Sequence, residues 1–433
     1  MKVTKYFLLF FFVIFFAHCV DEEKNTLPVY DPTKPVEFSS FLPDSGGVST
    51  QMIINGSNFG SDTSLIKVFV NGKKAPLIGT DGSSLLVLVP ARADTGLVSV
   101  QIGKGSNMKE VVSQNNFNYI FKPTVSTLSG WTAQDGTEST IVDGTLATAQ
   151  YKSPYWLTFD QNKDLYLLEE YQGLRFIDLH KKTVTTKFRV GNSLDRPRTL
   201  AFSLTWDTLY VTNDQENPTG ISTVILTKQT NFTKWNTLIN SNQCNGSDVH
   251  PQTGDYFYNE YTRGNMYKWN KKTHTSELMY RVDDVRWEFN IQFAPSGDFA
   301  YVVCVNQHYI MKSIYNRETG KLEAPSVVCG KRTTAGWQDG VGTGAKFDNP
   351  HQGAFDENDN FYVCDVNNHC IRKITPNGIV TTFAGRPQKA GYSDGALRDA
   401  QFNHPRGIVY DKENQTFYIA DQSNARIRTI TIE

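Results

Sequence analysis

A long internal repeat constrains the fold of this chain more than any other feature of its sequence. Its two clearest copies share a Gly-x-x-Asp-Gly turn, an Ala-x-Phe pair and a closing proline, and they span Gly336–Pro350 and Gly391–Pro405. Each copy continues into an aligned pair of strands, Asn360–Ile374 and Thr416–Ile430. One such unit cannot bury both faces of its sheet alone, so the copies must stack against one another.

The aligned strand pairs, with an Asp at the end of one strand and Ile-Arg in the next, resemble the NHL repeat. Weaker copies precede them, and together they make six units, beginning at Pro154, at Pro197, near Cys244, near Glu288, at Pro350 and at Pro405. The resemblance implies an all-β fold with a six-bladed β-propeller, one four-stranded blade for each unit.

The sequence also predicts how the ring closes. The last unit has three strands before Glu433, and Val125–Gly130 resembles the missing outer strand, because Val380–Gly385 stands in the same place in the unit before it. We expect this N-terminal strand to complete the last blade, which removes two exposed sheet edges. The Ala-x-Phe pairs are expected to fill the wedges between blades, at Ala345 and Phe347 and at Ala400 and Phe402.

Residues 36–121 form a different unit of short alternating strands bounded by turn residues. The segments Pro43–Gly47, Ile54–Gly60 and Val70–Ala75, followed by Val89-Pro90, resemble the IPT/TIG family of immunoglobulin-like domains. The resemblance implies a β-sandwich in which Phe59 packs between two sheets. It brings no catalytic group, so a spacer or docking role is expected, and residues 122–433 are left for the propeller.

Residues 1–18 carry an export signal, because Lys2 and Lys5 precede a short apolar run, Tyr6–Ala17. The segment that ends in Cys19 resembles a bacterial lipoprotein box, which implies lipidation of Cys19 and a tether over residues 19–35. Asp21-Glu22-Glu23 resembles the acidic tag of some surface lipoproteins. We therefore expect an exported protein, held at the outer membrane by lipid only and facing the cell surface. An ordinary signal peptide with an incidental cysteine is the alternative.

Alignment of the six units predicts a ring of side chains around one mouth of the channel: Tyr155, Arg198, Asn245, Phe289, His351 and Arg406. Trp156 and Trp287 stand beside this ring and could stack on sugars. Arg198, His351 and Arg406 together suit an anionic ligand, such as the carboxylate of an acidic sugar. The second strands end near the same face, at Glu169-Glu170, Asn213-Asp214, Asn259-Glu260, Asn306, Asp365 and Asp421. For Asp365 and Asp421, capping of their own turns is the simpler interpretation.

Two functional classes fit this mouth. The first is a non-enzymatic surface protein that binds a glycan or a protein ligand. The second is a metal-dependent hydrolase or lyase. Calcium-holding propellers of the gluconolactonase and paraoxonase type make Glu170, Asn213 and Asn259 the candidate ligands. Zinc is the other possible cofactor, because NHL-type lyases use histidines, and the candidates by type are His250, His351, His369 and His404. His250 aligns with a turn position away from the mouth, which leaves no three-histidine set, and no catalytic residue is assigned.

The net charge bears on the class of partner, and the cysteines bear on whether the protein forms a disulfide. The net charge is −1, and with an export signal this argues against nucleic acid as a partner. Five cysteines follow Cys19. Cys364 and Cys370 flank one predicted hairpin, so a disulfide between them and a pair of buried free thiols are both open interpretations.

Overall fold

The computed structural model describes residues 28–131, 140–215, 220–282 and 288–432. The chain divides into two compact units, one ending at Phe121 and one spanning Lys122–Ile432. In these described ranges the protein is all-β, as predicted, and no helix is long and apolar enough to cross a membrane. Its helical elements are short 3-10 turns, at Thr63–Leu65, Gly105–Asn107, Lys228–Thr230, Val305–Gln307, Gly342–Gly344, Val366–Asn368 and Gln422–Asn424.

The first unit is the predicted sandwich of two sheets. In hydrogen-bonded order, one sheet contains Glu37–Leu42, Gln51–Gly60, Gly82–Leu88 and Leu77–Thr80. The other contains Ser45–Gly46, Lys109–Tyr119, Gly96–Ile102, Ile66–Val70 and Lys73–Ala75. Buried and exposed residues alternate along Gln51–Ile54 and Gly96–Ile102, because successive side chains of a strand point to opposite faces.

Phe59 lies in the core of this sandwich, as predicted, and is 1% exposed. Gly56 makes room for it, since a Cβ built on Gly56 would lie 2.4 Å from the Phe59 ring. A side chain at this glycine would therefore displace the aromatic ring from the core.

The second unit is the propeller, with six sheets in the described ranges, which we number blades 1 to 6. From the innermost strand outwards, blade 1 contains Pro154–Phe159, Leu165–Glu169, Gly173–Asp178, Thr183–Arg189 and Gly144–Thr145. Blade 2 contains Pro197–Phe202, Thr208–Asn213, Ile221–Thr227 and Trp235–Asn240. Blade 3 contains Ser247–Val249, Tyr256–Glu260, Asn265–Asn270 and Thr275–Arg281.

Blades 4 to 6 follow the same plan. Blade 4 contains Phe289–Phe293, Phe299–Cys304, Tyr309–Asn316, Ser326–Gly330 and the short Lys321–Leu322. Blade 5 contains Pro350–Phe355, Phe361–Asp365, Cys370–Ile374, Ile379–Ala384 and Gly340–Val341. Blade 6 contains Pro405–Asp411, Thr416–Asp421, Arg426–Ile432, Pro123–Ser129 and Gly395–Ala396.

Blade 6 confirms the predicted closure of the ring. Pro123–Ser129 pairs antiparallel with Arg426–Ile432, and Val125 stands opposite Ile430. The two ends of the propeller therefore share one sheet. The predicted wedge residues between blades are also confirmed, because Phe347 and Phe402 are fully buried in clusters that join neighbouring blades.

A buried arginine holds the loop in front of the first strand in three blades. In blade 5, the Nη groups of Arg372 donate to Asp365 and to Asp339, both at 2.8 Å, and the guanidinium lies over the Phe347 ring. The same arrangement joins Arg175 to Glu169 and Asp143 in blade 1, and Arg428 to Asp421 and Asp394 in blade 6. A buried carboxylate needs such a partner, because an unpaired buried charge is costly.

The five cysteines of the described residues are free and buried. Cys364 stands opposite Ile371, whereas Cys370 stands opposite Asp365. The two thiols therefore point to opposite faces of the blade 5 sheet, and a disulfide between them is excluded by the register. Of the two interpretations left open by the sequence, the structure has the buried free thiols.

Candidate ligand-binding site in the propeller channel

The upper mouth of the channel is the face at which the innermost strands begin and the second strands end. In blades 1, 2, 5 and 6 a β-bulge opens each innermost strand, as shown by register shifts just after Pro154, Pro197, Pro350 and Pro405. A bulge turns the side chain at that point away from the regular alternation. It is these four blades that bring their predicted residues together at the mouth.

Arg198 forms the centre of the upper mouth and ties three blades together. Its Nη1 donates to Glu170 at 2.8 Å and its Nη2 to Glu288 at 2.7 Å, while its Nε lies 3.2 Å from Asp214. The Arg198 side chain is 3% exposed. A ligand could not reach this guanidinium without breaking these pairs, so the predicted ligand contact is better described as a structural tie.

Tyr155 and His351 form a second buried layer. The His351 Nδ1 lies 2.9 Å from the Arg406 carbonyl oxygen, which can only accept, so Nδ1 carries the proton. The Tyr155 hydroxyl then donates to Nε2 at 2.8 Å. Burial, with Arg406 and Arg198 nearby, holds the pKa of His351 well below its usual range. The imidazole is therefore a neutral support of the mouth, with no charge to offer a ligand.

Arg406 differs from every other member of the mouth. Its Nε donates to the Gln422 side chain at 2.5 Å, and its guanidinium lies 5.4 Å from the centre of the Tyr155 ring. Within the part of the chain that the structure describes, Arg406 forms no ion pair and its two Nη groups have no hydrogen-bond partner. The residue is partly exposed. Arg406 thus presents a fixed guanidinium edge with four free N–H groups.

The charges around this edge are balanced. Arg196 pairs with Asp214 at 2.9 Å and with Glu170 at 3.3 Å, which completes the network around Arg198. Among the described residues, the mouth thus holds three guanidinium groups, counting Arg406, and three carboxylates. The other two guanidinium groups are paired directly with these carboxylates, so Arg406 is the guanidinium group of this set that has no direct ion pair.

Two predicted mouth residues prove to be interior ones. Phe289 is fully buried in the core that joins blades 3 and 4, and Asn245 is 5% exposed and bonds to the Asn259 side chain at 2.6 Å. In the register of blades 3 and 4 the innermost strand begins without a bulge. At Phe289 the backbone is therefore not turned towards the mouth, and its ring lies in the core. Ligand contact by Asn245 and Phe289 stays a prediction.

Of the two tryptophans predicted beside the mouth, the structure describes Trp156 alone. Trp156 contacts His351 with its ring edge and is 3% exposed, and it faces a cavity at the opposite end of the channel. Trp287 lies outside the described residues, and so does Cys19.

The candidate metal ligands do not form a cation site. The Asn213 side chain is fully buried and bonds to Arg196 N and to the Ser193 and Ile221 carbonyls. Asn259 is likewise fully buried and holds the backbone before blades 3 and 4. Glu170 is engaged by arginines. Calcium requires six to eight oxygen ligands, and here the oxygens are used within the protein.

Candidate histidines also form hydrogen bonds within the protein, as His250 and His369 show. His250 accepts two backbone N–H groups of its own turn at 3.1 Å each, at the opposite end of the blade from the mouth. His369 accepts the backbone N–H of His404 at 3.2 Å and so ties blade 5 to blade 6. One group of three possible metal ligands occurs in the described ranges, Asp164, Asp178 and His180, and it lies at hairpin turns of blade 1.

Sequence reasoning missed the exposed rim of the upper mouth. Arg196, Glu288 and Gln422 all stand one residue outside a strand, in the loops that lead into or out of it. Gln422 links Arg406 to Glu170, because its Nε2 donates to that carboxylate at 3.2 Å. Their position next to the aligned strand residues could have indicated them. At a strand end, the neighbouring loop residue is accessible to solvent, whereas the strand residue is buried.

Comparisons with known proteins agree with this architecture. The IPT/TIG domain family matches residues 35–119 and the NHL repeat family matches residues 347–374. The crystal structure of an auxiliary nutrient binding protein from Bacteroides thetaiotaomicron is 39% identical, with a TM-score of 0.74, over 94% of this chain and 99% of that chain. A second auxiliary nutrient binding protein, from Bacteroides ovatus, is 33% identical, with a TM-score of 0.80, over 94% of this chain and 100% of that chain.

Similarity to curated proteins is more local. NHL repeat-containing protein 2 of Bos taurus is 32% identical over 97 residues, which are 22% of this chain and 13% of that protein. The chain thus matches a small part of the length of such relatives.

Proposed function

Because this chain belongs to the family of TIG and NHL-propeller proteins that includes the two Bacteroides auxiliary nutrient binding proteins, we propose that it is a non-enzymatic ligand-binding protein. The upper mouth of the propeller is the binding site, and the ligand is a glycan or a protein that presents a carboxylate. The observation that carries the proposal is the unpaired guanidinium edge of Arg406.

The chemistry of this edge favours a carboxylate ligand. Gln422 and the Tyr155 ring hold Arg406 in place, so little conformational entropy is lost when its two Nη groups form a bidentate pair. Glu288, which pairs with Arg198 at the same mouth, is partly exposed and can accept hydrogen bonds from ligand hydroxyls. An acidic sugar offers both a carboxylate and hydroxyl groups in one small ring.

The proposed cellular location is based on the N-terminal segment. A lipid on Cys19 would hold the protein at the outer membrane, and residues 20–35 with the IPT/TIG domain would act as a spacer that carries the propeller at the cell surface. This arrangement suits the capture of nutrients outside the cell. The support for this location is the motif around Cys19.

The test is a binding and turnover screen of the soluble protein that starts after Cys19. Oligosaccharides with uronic acid residues and their neutral counterparts would be compared by isothermal titration calorimetry, and the same samples would be analysed for new products. We expect saturable binding of the acidic set without turnover. Equal binding of both sets would contradict the role of Arg406, and cleavage of a bound sugar would contradict a non-enzymatic function.

A further inference from the structure

The end of the channel opposite the upper mouth contains a cavity of about 310 Å³, which we call the lower cup. Residues of all six blades line it. The walls include the aromatic residues Trp156, Trp206, Phe293 and Tyr410, and Asp248 and Lys163 are the two charged residues of its lining. This volume falls at the small end of the usual range for ligand pockets.

Asp248 is a carboxylate without a cationic partner. Its Oδ1 accepts the Val249 N–H and its Oδ2 accepts the Phe293 N–H, both at 2.8 Å, and within the described ranges no basic group lies within ion-pair distance. Burial raises the pKa of Asp248 to about 7, opposed by these two backbone hydrogen bonds. The Lys163 ammonium lies over the Phe159 ring, 5.5 Å from its centre. The cup therefore holds an acceptor whose charge the protein leaves uncompensated.

The inner end of the lower cup is rigid. Gln352 extends across the channel, where its Oε1 accepts the backbone N–H groups of Leu157 at 3.0 Å and of Ile408 at 3.2 Å. Its Nε2 donates to the Leu157 carbonyl at 2.7 Å. This one side chain joins blades 1, 5 and 6 and fixes the wall beside the bulged strands. A cup with such a wall binds a ligand at low reorganisation cost.

We propose that the lower cup is a second ligand site, which takes a small organic cation: an ammonium group on a ring or short chain of monosaccharide size. Asp248 attracts the charge of the ammonium group, and accepts a hydrogen bond from it where the group carries an N–H, while the aromatic walls pack against the carbon skeleton and attract the same charge. A bare metal ion fits less well, because the cup offers one carboxylate where calcium needs several oxygens.

The two ends of the channel are thus complementary in charge. The upper mouth has an unpaired guanidinium group at Arg406, and the lower cup has an unpaired carboxylate at Asp248. The second site does not depend on the first, since the Tyr155–His351 pair and Gln352 lie between them. A failure of binding at one end would leave the other end untouched.

The experiment uses the soluble protein and three probes: glucosamine, glucose and choline. Glucosamine and glucose share one ring and differ by the ammonium group, and choline keeps its charge at every pH. Titrations would be followed by tryptophan fluorescence, because Trp206 and Trp156 line the cup. We expect saturable binding of glucosamine and choline, at least tenfold tighter than that of glucose. Choline binding should strengthen from pH 6 to pH 8 as Asp248 ionises.

Variants assign the binding to the cup. Asp248→Asn should weaken choline binding at least tenfold, whereas Asp399→Asn, which changes an aspartate with 72% of its side chain exposed, should have no effect. Lys163→Gln removes the one positively charged side chain among the described residues of the lining, and with it a repulsion on the ligand, so it should tighten choline binding. Arg406→Gln should leave it unchanged. The proposal is overturned if neither ammonium probe binds at millimolar concentration, if glucose binds as well as glucosamine, or if Asp248→Asn binds choline like the parent protein.

Discussion

Replacement of Arg198 by methionine tests the interpretation of the upper mouth most severely. Methionine has a similar length but no charge, so it leaves Glu170, Asp214 and Glu288 without their shared partner. Removal of one partner from a buried ion pair costs about 3 to 5 kcal/mol, because a buried charge is left uncompensated. We therefore expect Arg198→Met to lower the free energy of unfolding of the propeller by about this amount.

The expected change in melting temperature follows from the size of the propeller. For roughly 300 residues, an unfolding entropy of about 2.1 cal/mol/K per residue gives a decrease of about 5 to 8 °C. Calorimetry and urea unfolding of the soluble protein would measure it. Burial already raises the pKa of Asp214 while Arg198 and Arg196 oppose the rise. Without Arg198 the pKa of Asp214 in the folded state rises further above its unfolded value. The stability deficit of the variant is therefore smallest below the unfolded pKa of an aspartate, about 3.9, and grows as pH rises through the folded-state pKa.

Arg196→Gln is the matched control. Arg196 contacts two of the same carboxylates, but its side chain is 34% exposed. A partly exposed pair contributes about 0 to 1 kcal/mol, so the control should change stability little. If Arg198→Met were no less stable than Arg196→Gln, or if its deficit did not depend on pH, the description of Arg198 as a structural tie would be refuted.

Four further predictions follow from the fold and the N-terminal segment. Arg372→Lys should lower the free energy of unfolding, measured in urea, by about 2 to 4 kcal/mol, because a lysine cannot bond to both Asp365 and Asp339 and to the nearby backbone carbonyls. An unchanged urea midpoint would contradict this role of Arg372. Deletion of Pro123–Ser129 should expose two strand edges and cause aggregation in light scattering, and a monomeric product would argue against the role of this strand. Burial raises the pKa of the Cys244 and Cys329 thiols to about 12, so a thiol reagent should label the soluble protein only after denaturation, and labelling of the native protein would show otherwise. Cys19→Ala should move the protein from the membrane fraction to soluble fractions, and retention after signal cleavage would exclude lipidation there.

The architecture could be predicted from sequence because local signals repeat. Turn residues and the Ala-x-Phe pairs recur in each clear unit. The closing strand Pro123–Ser129 precedes the Gly144 turn in the same order in which Ile379–Ala384 of blade 5 precedes the Gly395 turn. The buried arginine that pairs with two carboxylates, as Arg372 does with Asp365 and Asp339, also belongs to this local pattern. Each copy supports the same assignment, so one propeller explains them all.

The site was only partly predictable, because a sequence alignment does not show where a strand is bulged. Arg198, His351 and Arg406 lie in bulges, but Phe289 begins a regular strand and its ring enters the core. Nor does the sequence show which arginine is already paired. Arg198 and Arg406 occupy equivalent positions, and only their three-dimensional neighbours distinguish a tie from a free edge. The lower cup is lined by residues from six separate blades, and no single sequence motif indicates that they lie together.

The central claim is that Arg406 binds the ligand while Arg198 holds the mouth together. The most direct measurement is the affinity of Arg406→Gln for the acidic oligosaccharide that binds the parent protein, with Arg317→Gln, an exposed arginine of blade 4, as control. Loss of one charged hydrogen-bonding group should weaken binding about ten- to hundredfold, with the melting temperature unchanged. Unchanged affinity together with a lower melting temperature would contradict the account, because Arg406 would then be a second structural tie.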